Sequence, residues 1–186
     1  MALRKLNPKN IWAIDIDDNV LKNAVDRGII DRGFKSPNIP LKESDIVIMC
    51  VYPDLIVNFI EDNLDHFKKN CIITDTAGTK ESLLNKVSNI IREDMDFIGG
   101  HPMAGREYKG LENASVDLFE GANYILTPRP ENSLVNIEIM DRIIKGIGCK
   151  NIIKVSAQKH DKIMAHTSQL PHIMAAALMD GMEEDT

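Results

Sequence analysis

Short β-branched and apolar runs recur along the chain, separated by longer stretches of helical periodicity. Ile11–Ile16 (IWAIDI), Asp45–Val51 (DIVIMCV), Cys71–Asp75 (CIITD), Phe97–Gly99, Asn123–Leu126 and Asn151–Val155 predict strands. Most lack the polar alternation of a sheet with one wet face, so both of their faces need cover. Strands of that kind alternating with helices point to an α/β fold, a Rossmann-like doubly wound parallel sheet joined by crossover helices.

The intervening stretches carry helix signals. Asp18–Arg27 follows acidic residues suited to an N-terminal cap and stops at Gly28. Pro53–Phe67 opens on a proline, whose missing N–H costs nothing in a first turn. Leu55, Ile56, Phe59, Ile60 and Leu64 form its apolar stripe. Thr79–Arg92 and Ser133–Ile147 predict two further helices, and Ala157–Met182 a last one. Pro171 lies inside that last helix, where a lost donor and a ring clash predict a break or kink.

Charge narrows the function classes. Against 28 Asp and Glu stand 22 Lys and Arg, a net charge of −6, whereas a nucleic-acid binder carries a basic excess. The longest stretch without Asp, Glu, Lys or Arg, Ile163 to Met179, holds two His, a Gln, a Ser and a Pro, which argues against a membrane span. MALRKLNPKN has no apolar signal core. Cys50, Cys71 and Cys149 are odd in number and far apart, the usage of reduced thiols in a cytoplasmic protein. His160 and His166, six apart, fall on different helix faces, so no metal site is expected. His66 reads as a helix C-terminal histidine and His160-Asp161 as a pair that orients the last helix.

Two segments carry chemistry. Asp15 ends the first predicted strand, the place where dinucleotide-binding folds put a carboxylate on the ribose hydroxyls. Asp17 and Asp18 are better placed to cap the next helix, which leaves Asp15 for NAD. The Gly-rich phosphate loop belongs about 20 residues earlier, and no G-x-G-x-x-G occurs among the 186 residues. Ala2–Leu6 reads as the last turns of the helix after that loop, so the expectation is a sheet without its first, central strand. Such a sheet leaves buried backbone groups unpaired at roughly 1–3 kcal/mol each. The second segment is Gly99-Gly100-His101-Pro102-Met103-Ala104-Gly105-Arg106-Glu107. It follows a strand and sets His101 in a Gly-rich turn at the carboxyl end of the sheet, where an imidazole can accept a hydroxyl proton as a hydride departs.

These motifs resemble the prephenate/arogenate dehydrogenase family. GGHPMAG-x-E, Glu120-Gly121, Ile125-Leu126-Thr127-Pro128, His160-Asp161 and Ser168-Gln169-Leu170-Pro171-His172 occur in the family's order and approximate spacing. Ala2-Leu3-Arg4-Lys5 and Gly28-Ile29-Ile30-Asp31 look like positions flanking the second strand, and the similarity covers essentially the whole chain.

The resemblance implies NAD-dependent oxidative decarboxylation of prephenate to 4-hydroxyphenylpyruvate, in tyrosine biosynthesis. It makes His101 and His172 the catalytic histidines, with Thr79, Glu107, Ser168 and Gln169 around a small-molecule substrate. Val51, Tyr52, Pro53 and Thr76 join Asp15 on the cofactor side. It also implies a nucleotide-binding domain over 1–155, the first helices of a substrate and dimerisation domain over 156–186, and a homodimer once that domain is whole. Where some members carry a serine that holds the substrate hydroxyl, this chain has Gly78, which leaves the role vacant or passes it to Thr76 or Thr79. Gln169 stands where some members have histidine, and the carboxylate-binding arginine belongs to the later helices. The expectation is therefore a chain with negligible activity alone. Arogenate as substrate and a non-catalytic, partner-binding remnant are the alternatives.

Overall fold

The computed structural model describes residues 1–105 and 110–183. A 3-10 helix, Ala2–Leu6, leads into β1 (Trp12–Ile14), α1 (Asp18–Asp26) and β2 (Arg32–Phe34). The expected helix start is observed, because the Asp17 side chain accepts the Asn19 N–H at 2.8 Å. β1 and β2 pair in parallel, Trp12 against Arg32 and Ile14 against Phe34. β2, Arg-Gly-Phe, has no β-branched residue, and it forms through this pairing and the burial of Phe34.

The second, larger sheet follows. α2 (Asn38–Glu43) leads to β3 (Ile46–Met49), α3 (Pro53–Asp62), β4 (Ile72–Asp75), α4 (Glu81–Ser88) and β5 (Asp96–Pro102). Then come β6 (Asn123–Thr127), α5 (Leu134–Gly146) and β7 (Asn151–Lys154). Strand order is β3-β4-β5-β6-β7, parallel except that β5 and β6 run antiparallel, with Gly99 opposite Thr127 and His101 opposite Ile125. The doubly wound α/β architecture stands, with this one reversal. Two apolar clusters sandwich the sheet. One joins Ile56, Ile60, Leu83, Leu84 and Val87 of α3 and α4 to Ile73 and Phe97. The other joins Ile137, Met140 and Ile144 of α5 to Ile98 and Leu126, with Ala2 from the 3-10 helix.

Several elements are shorter than their periodicity predicts. The expected helix Pro53–Phe67 ends at Asp62; a separate 3-10 turn, Leu64–His66, follows, and the Asn63 side chain donates to the Phe59 carbonyl at 2.8 Å. α4 starts at Glu81 rather than Thr79, and Asp161 accepts the N–H groups of Lys80 and Glu81 at that start. β1 hydrogen-bonds β2 and β3 hydrogen-bonds β4, so each has one unpaired edge among the described residues. All of β4 is buried, whereas β1 is half-buried.

After β7, Ser156 caps α6 (Ala157–Met164), accepting the Lys159 N–H at 3.3 Å. A π-helical turn, Ala165–Gln169, joins it to α7 (Leu170–Glu183). Pro171 is the second residue of α7, so the expected break takes the form of a π turn just before the proline. The widened turn relieves the ring's clash with the preceding carbonyls, and the helix runs on. Among the described residues, no helix is long and apolar enough to cross a membrane.

Candidate functional site

The site grows from the carboxyl ends of β3, β4 and β5 and is closed by α6 and the π turn. Two glycines let β5 lie close to its neighbours. A Cβ on Gly100 would stand 2.7 Å from the Asp75 carbonyl oxygen and 2.7 Å from the Tyr124 Oη, and one on Gly99 would collide with the Thr127 hydroxyl. The next residue is His101, which lies within β5 and not in a Gly-rich turn as expected. Pairing with β6 extends the strand through Pro102 and holds the imidazole on a rigid element.

The His101 Nδ1 is 2.8 Å from the Nε2 of His160, and the Nδ1 of His160 is 2.6 Å from the Asp161 Oδ1. Asp161 in turn accepts the Lys80 N–H on Oδ1 and the Glu81 N–H on Oδ2, both at 2.9 Å. Burial opposes ionisation of Asp161, but those N–H groups and His160 outweigh it and hold the carboxyl below its ordinary value. An ionised carboxylate only accepts, so the His160 Nδ1 carries hydrogen, and where both rings are neutral the His160 Nε2 is an acceptor. The His101 Nδ1–H then donates to it, and the His101 Nε2 is left with a lone pair. Burial lowers His101 to about 4, with His160 and Lys80 acting the same way against Asp161. At neutral pH the ring is therefore an unprotonated base.

That Nε2 lies on the Gly78 side, since a Cβ on Gly78 would be 3.9 Å from it. The cleft there, of about 260 Å³, is lined by Pro53, Gly78, Thr79, His101, Met164, Ser168 and Gln169. Pro53, Thr79, Ser168 and Gln169 were expected at the site, and the structure brings them together with His101. Thr79 rather than Thr76 reaches the cleft, while Thr76 lies beside the Cys50 thiol. Val51 and Tyr52 are exposed at the start of α3 and do not line it. Asp15 sits just past the end of β1, half-buried, its Oδ1 accepting the Asp17 N–H at 2.9 Å. His172 belongs to α7, but its side chain lies outside the described residues, as does Glu107.

Residue chemistry alone missed three partners. His160 is fully buried against His101, a contact added to the expected orienting of the last helix, which Asp161 ties to the N–H groups of Lys80 and Glu81. Lys80 and Asp75 form a wholly buried ion pair, and Asp75 also accepts the N–H groups of Gly100 and Ala77, each at 3.0 Å. Burial pushes Asp75 up and Lys80 down, opposed by their mutual attraction. The signal available for them was an aspartate and a lysine bracketing the short, uncharged Thr76–Thr79 loop.

Comparison with known proteins agrees with this geometry. The family model described as prephenate dehydrogenase, nucleotide-binding domain, matches residues 1–153. Prephenate dehydrogenase from Bacillus subtilis is 32% identical over 182 residues, covering 96% of this chain and 48% of the relative. The crystal structure of prephenate dehydrogenase from Aquifex aeolicus superposes with a TM-score of 0.92 at 28% identity, over 100% of this chain and 66% of that one. A second A. aeolicus structure, in complex with hydroxyphenyl propionate and NAD+, gives a TM-score of 0.89 at 28% identity, over 98% and 65%. Arogenate dehydrogenase from Synechocystis gives 0.86 at 27% identity, over 97% and 63%. The chain spans about half the length of the curated relatives it matches. A family match over most of its length, on a sheet that sets the His101–His160–Asp161 relay beside a cleft, places this chain in the prephenate dehydrogenase family.

Proposed function

We propose that the protein containing this chain is an NAD-dependent dehydrogenase that oxidatively decarboxylates prephenate to 4-hydroxyphenylpyruvate, a step of tyrosine biosynthesis. The observation that carries this reading is the relay, whose last acceptor, the His101 Nε2, faces the cleft. His101 takes the proton of the substrate hydroxyl as the carbon bearing it gives up a hydride. Cleavage of the bond to the ring carboxylate then releases CO₂ and delivers its electron pair to the ring, which becomes aromatic. The protonated His101 returns its proton to the phenolate oxygen. Thr79, Ser168 and Gln169 line the substrate side, with Glu107 and His172 assigned there by resemblance.

NAD supplies the hydride acceptor. The residues present fit its ribose and nicotinamide ends, with the Asp15 carboxylate at the end of β1 and Val51, Tyr52, Pro53 and Thr76 at the carboxyl ends of β3 and β4. A G-x-G-x-x-G cradle for the phosphates is not in the sequence. We assign 1–155 to the nucleotide domain and 156–186 to the start of a helical substrate domain. The exposed Ile173, Met174, Leu178 and Met179 of α7 are consistent with homodimer packing, in a cytoplasmic enzyme.

The test is a steady-state assay of the full-length protein with prephenate and arogenate, each with NAD and NADP. NAD-dependent release of CO₂ from prephenate supports the reading. Turnover of arogenate alone moves the assignment to the activity named for the Synechocystis relative, and turnover of neither sinks both.

A further inference from the structure

We propose that Lys80 is a positioning residue for His101, tying the strand that carries the imidazole and the helix that carries its partners to one buried ion pair. This rests on the proposed role of His101 and extends it to a residue outside the cleft.

The contacts close a ring. From His101 the hydrogen bonds run to His160 and on to Asp161, which accepts the Lys80 N–H. The Lys80 ammonium bonds Asp75, and Asp75 accepts the N–H of Gly100, the residue before His101. Lys80 is the one member that touches both carboxylates, Asp161 through its backbone and Asp75 through its side chain. Both Lys80 and Asp75 are wholly buried, and neither lines the cleft.

A buried ion pair is a poor source of stability, because desolvating two charges offsets most of their attraction. Its use is geometric, since a buried charge accepts few arrangements of its partners. Here it sets the distance between β5 and the start of α4, to which α6 and its His160 are fixed through Asp161. The ammonium also lies close enough to His101 to oppose its protonation. Among the described residues, the charged and titratable groups facing His101 are Lys80 beyond β4 and His160 and Asp161 on α6. Removing Lys80 therefore changes both where the ring points and when it titrates.

The experiment compares Lys80→Met and the double variant Asp75→Asn/Lys80→Met with the wild type in the full-length protein. The double variant removes both charges, so no lone carboxylate is left buried. Thermal unfolding reports the fold, and ¹⁵N NMR of the imidazoles reports the His101 titration midpoint without any turnover. With the double variant folded, we expect that midpoint to rise, while burial of the ring still holds it below the ordinary histidine value. Turnover should fall about 10–100-fold in kcat, the usual worth of a group that orients a catalytic ligand, with KM within about 3-fold. An unchanged midpoint with unchanged kcat overturns the proposal. A double variant that cannot fold overturns it too, by making the pair a folding requirement. A shifted midpoint in a protein that turns over neither prephenate nor arogenate leaves the positioning role standing and removes the functional reading instead.

Discussion

The Nδ1 of His101 and the Nε2 of His160 lie 2.8 Å apart, although 59 positions separate them in the chain. Because His160 is held by an ionised Asp161, this contact decides which nitrogen of His101 is free to accept a proton. The chemistry of the cleft thus depends on a residue that never reaches it.

Replacing His101 with Asn removes the base but keeps a side chain of similar reach. In the full-length protein kcat should fall by about 10²–10⁴, the usual contribution of a general base. An effect confined to KM would assign His101 to binding.

Asp161→Asn tests the proton order. An amide nitrogen facing the His160 Nδ1 reverses the relay, puts hydrogen on the His101 Nε2 and orphans the Lys80 N–H, whereas an amide oxygen there keeps the relay and orphans the Glu81 N–H. Either rotamer costs one donor, so we expect destabilisation of about 1–3 kcal/mol, with kcat lowered to the extent that the nitrogen takes the His160 side. Activity within twofold of wild type in a protein whose ¹⁵N NMR shows hydrogen on the His101 Nε2 would show that the direction of the relay does not matter to turnover.

The lowered titration of His101, to about 4, has a consequence for stability. The unfolded chain binds this proton below about pH 6.5, the folded chain only near 4. Between those values the unfolded state carries more protons, so stability present above about 6.5 is lost as pH falls toward 4. Melting temperatures across that window should drop more steeply in the wild type than in His101→Gln. Parallel curves would place the ring in a less perturbed environment.

Gly78 offers a gain of function. A Cβ there meets only His101 carbon and nitrogen, at 3.9 Å, an ordinary van der Waals contact. Gly78→Ser should fold normally and bring a hydroxyl within reach of the substrate oxygen, lowering KM for prephenate by several fold, with one added neutral hydrogen bond worth about 0.5–1.5 kcal/mol. A rise in KM would mean that the cleft needs this space empty.

The proposed role of Asp15 in cofactor choice requires its carboxylate to repel the extra phosphate of NADP. Asp15→Ser should narrow the preference for NAD in paired kcat/KM measurements. Unaltered discrimination would transfer that role to another residue.

Much of the fold was legible because short, β-branched apolar runs such as Cys71–Asp75, alternating with longer helical patterns, favour interior strands. The proline at Pro53 and the Asp17 cap likewise marked helix starts that the structure places there. β2 was not legible, since Arg-Gly-Phe has no strand signal of its own and forms through contacts with β1 and the core. The reversal of β6 was equally hidden, because direction within a sheet leaves no mark on a five-residue run. At the site, Thr79, Ser168, Gln169 and His101 were marked by their motifs. The functional weight of His160 was not, because a buried histidine and a surface one read alike in a line of letters.

Periodicity determined the α/β class and the imidazole at the carboxyl edge of the sheet, and the resemblance of its motifs pointed to the family. Those are local properties, carried by side-chain pattern and by residue type. Only the tertiary structure decided which nitrogen of that imidazole faces the cleft and that Lys80 and Asp75 stand behind it. Those facts depend on groups from β4, β5 and α6 meeting at hydrogen-bonding distance, and such meetings are set by how the helices pack on the sheet.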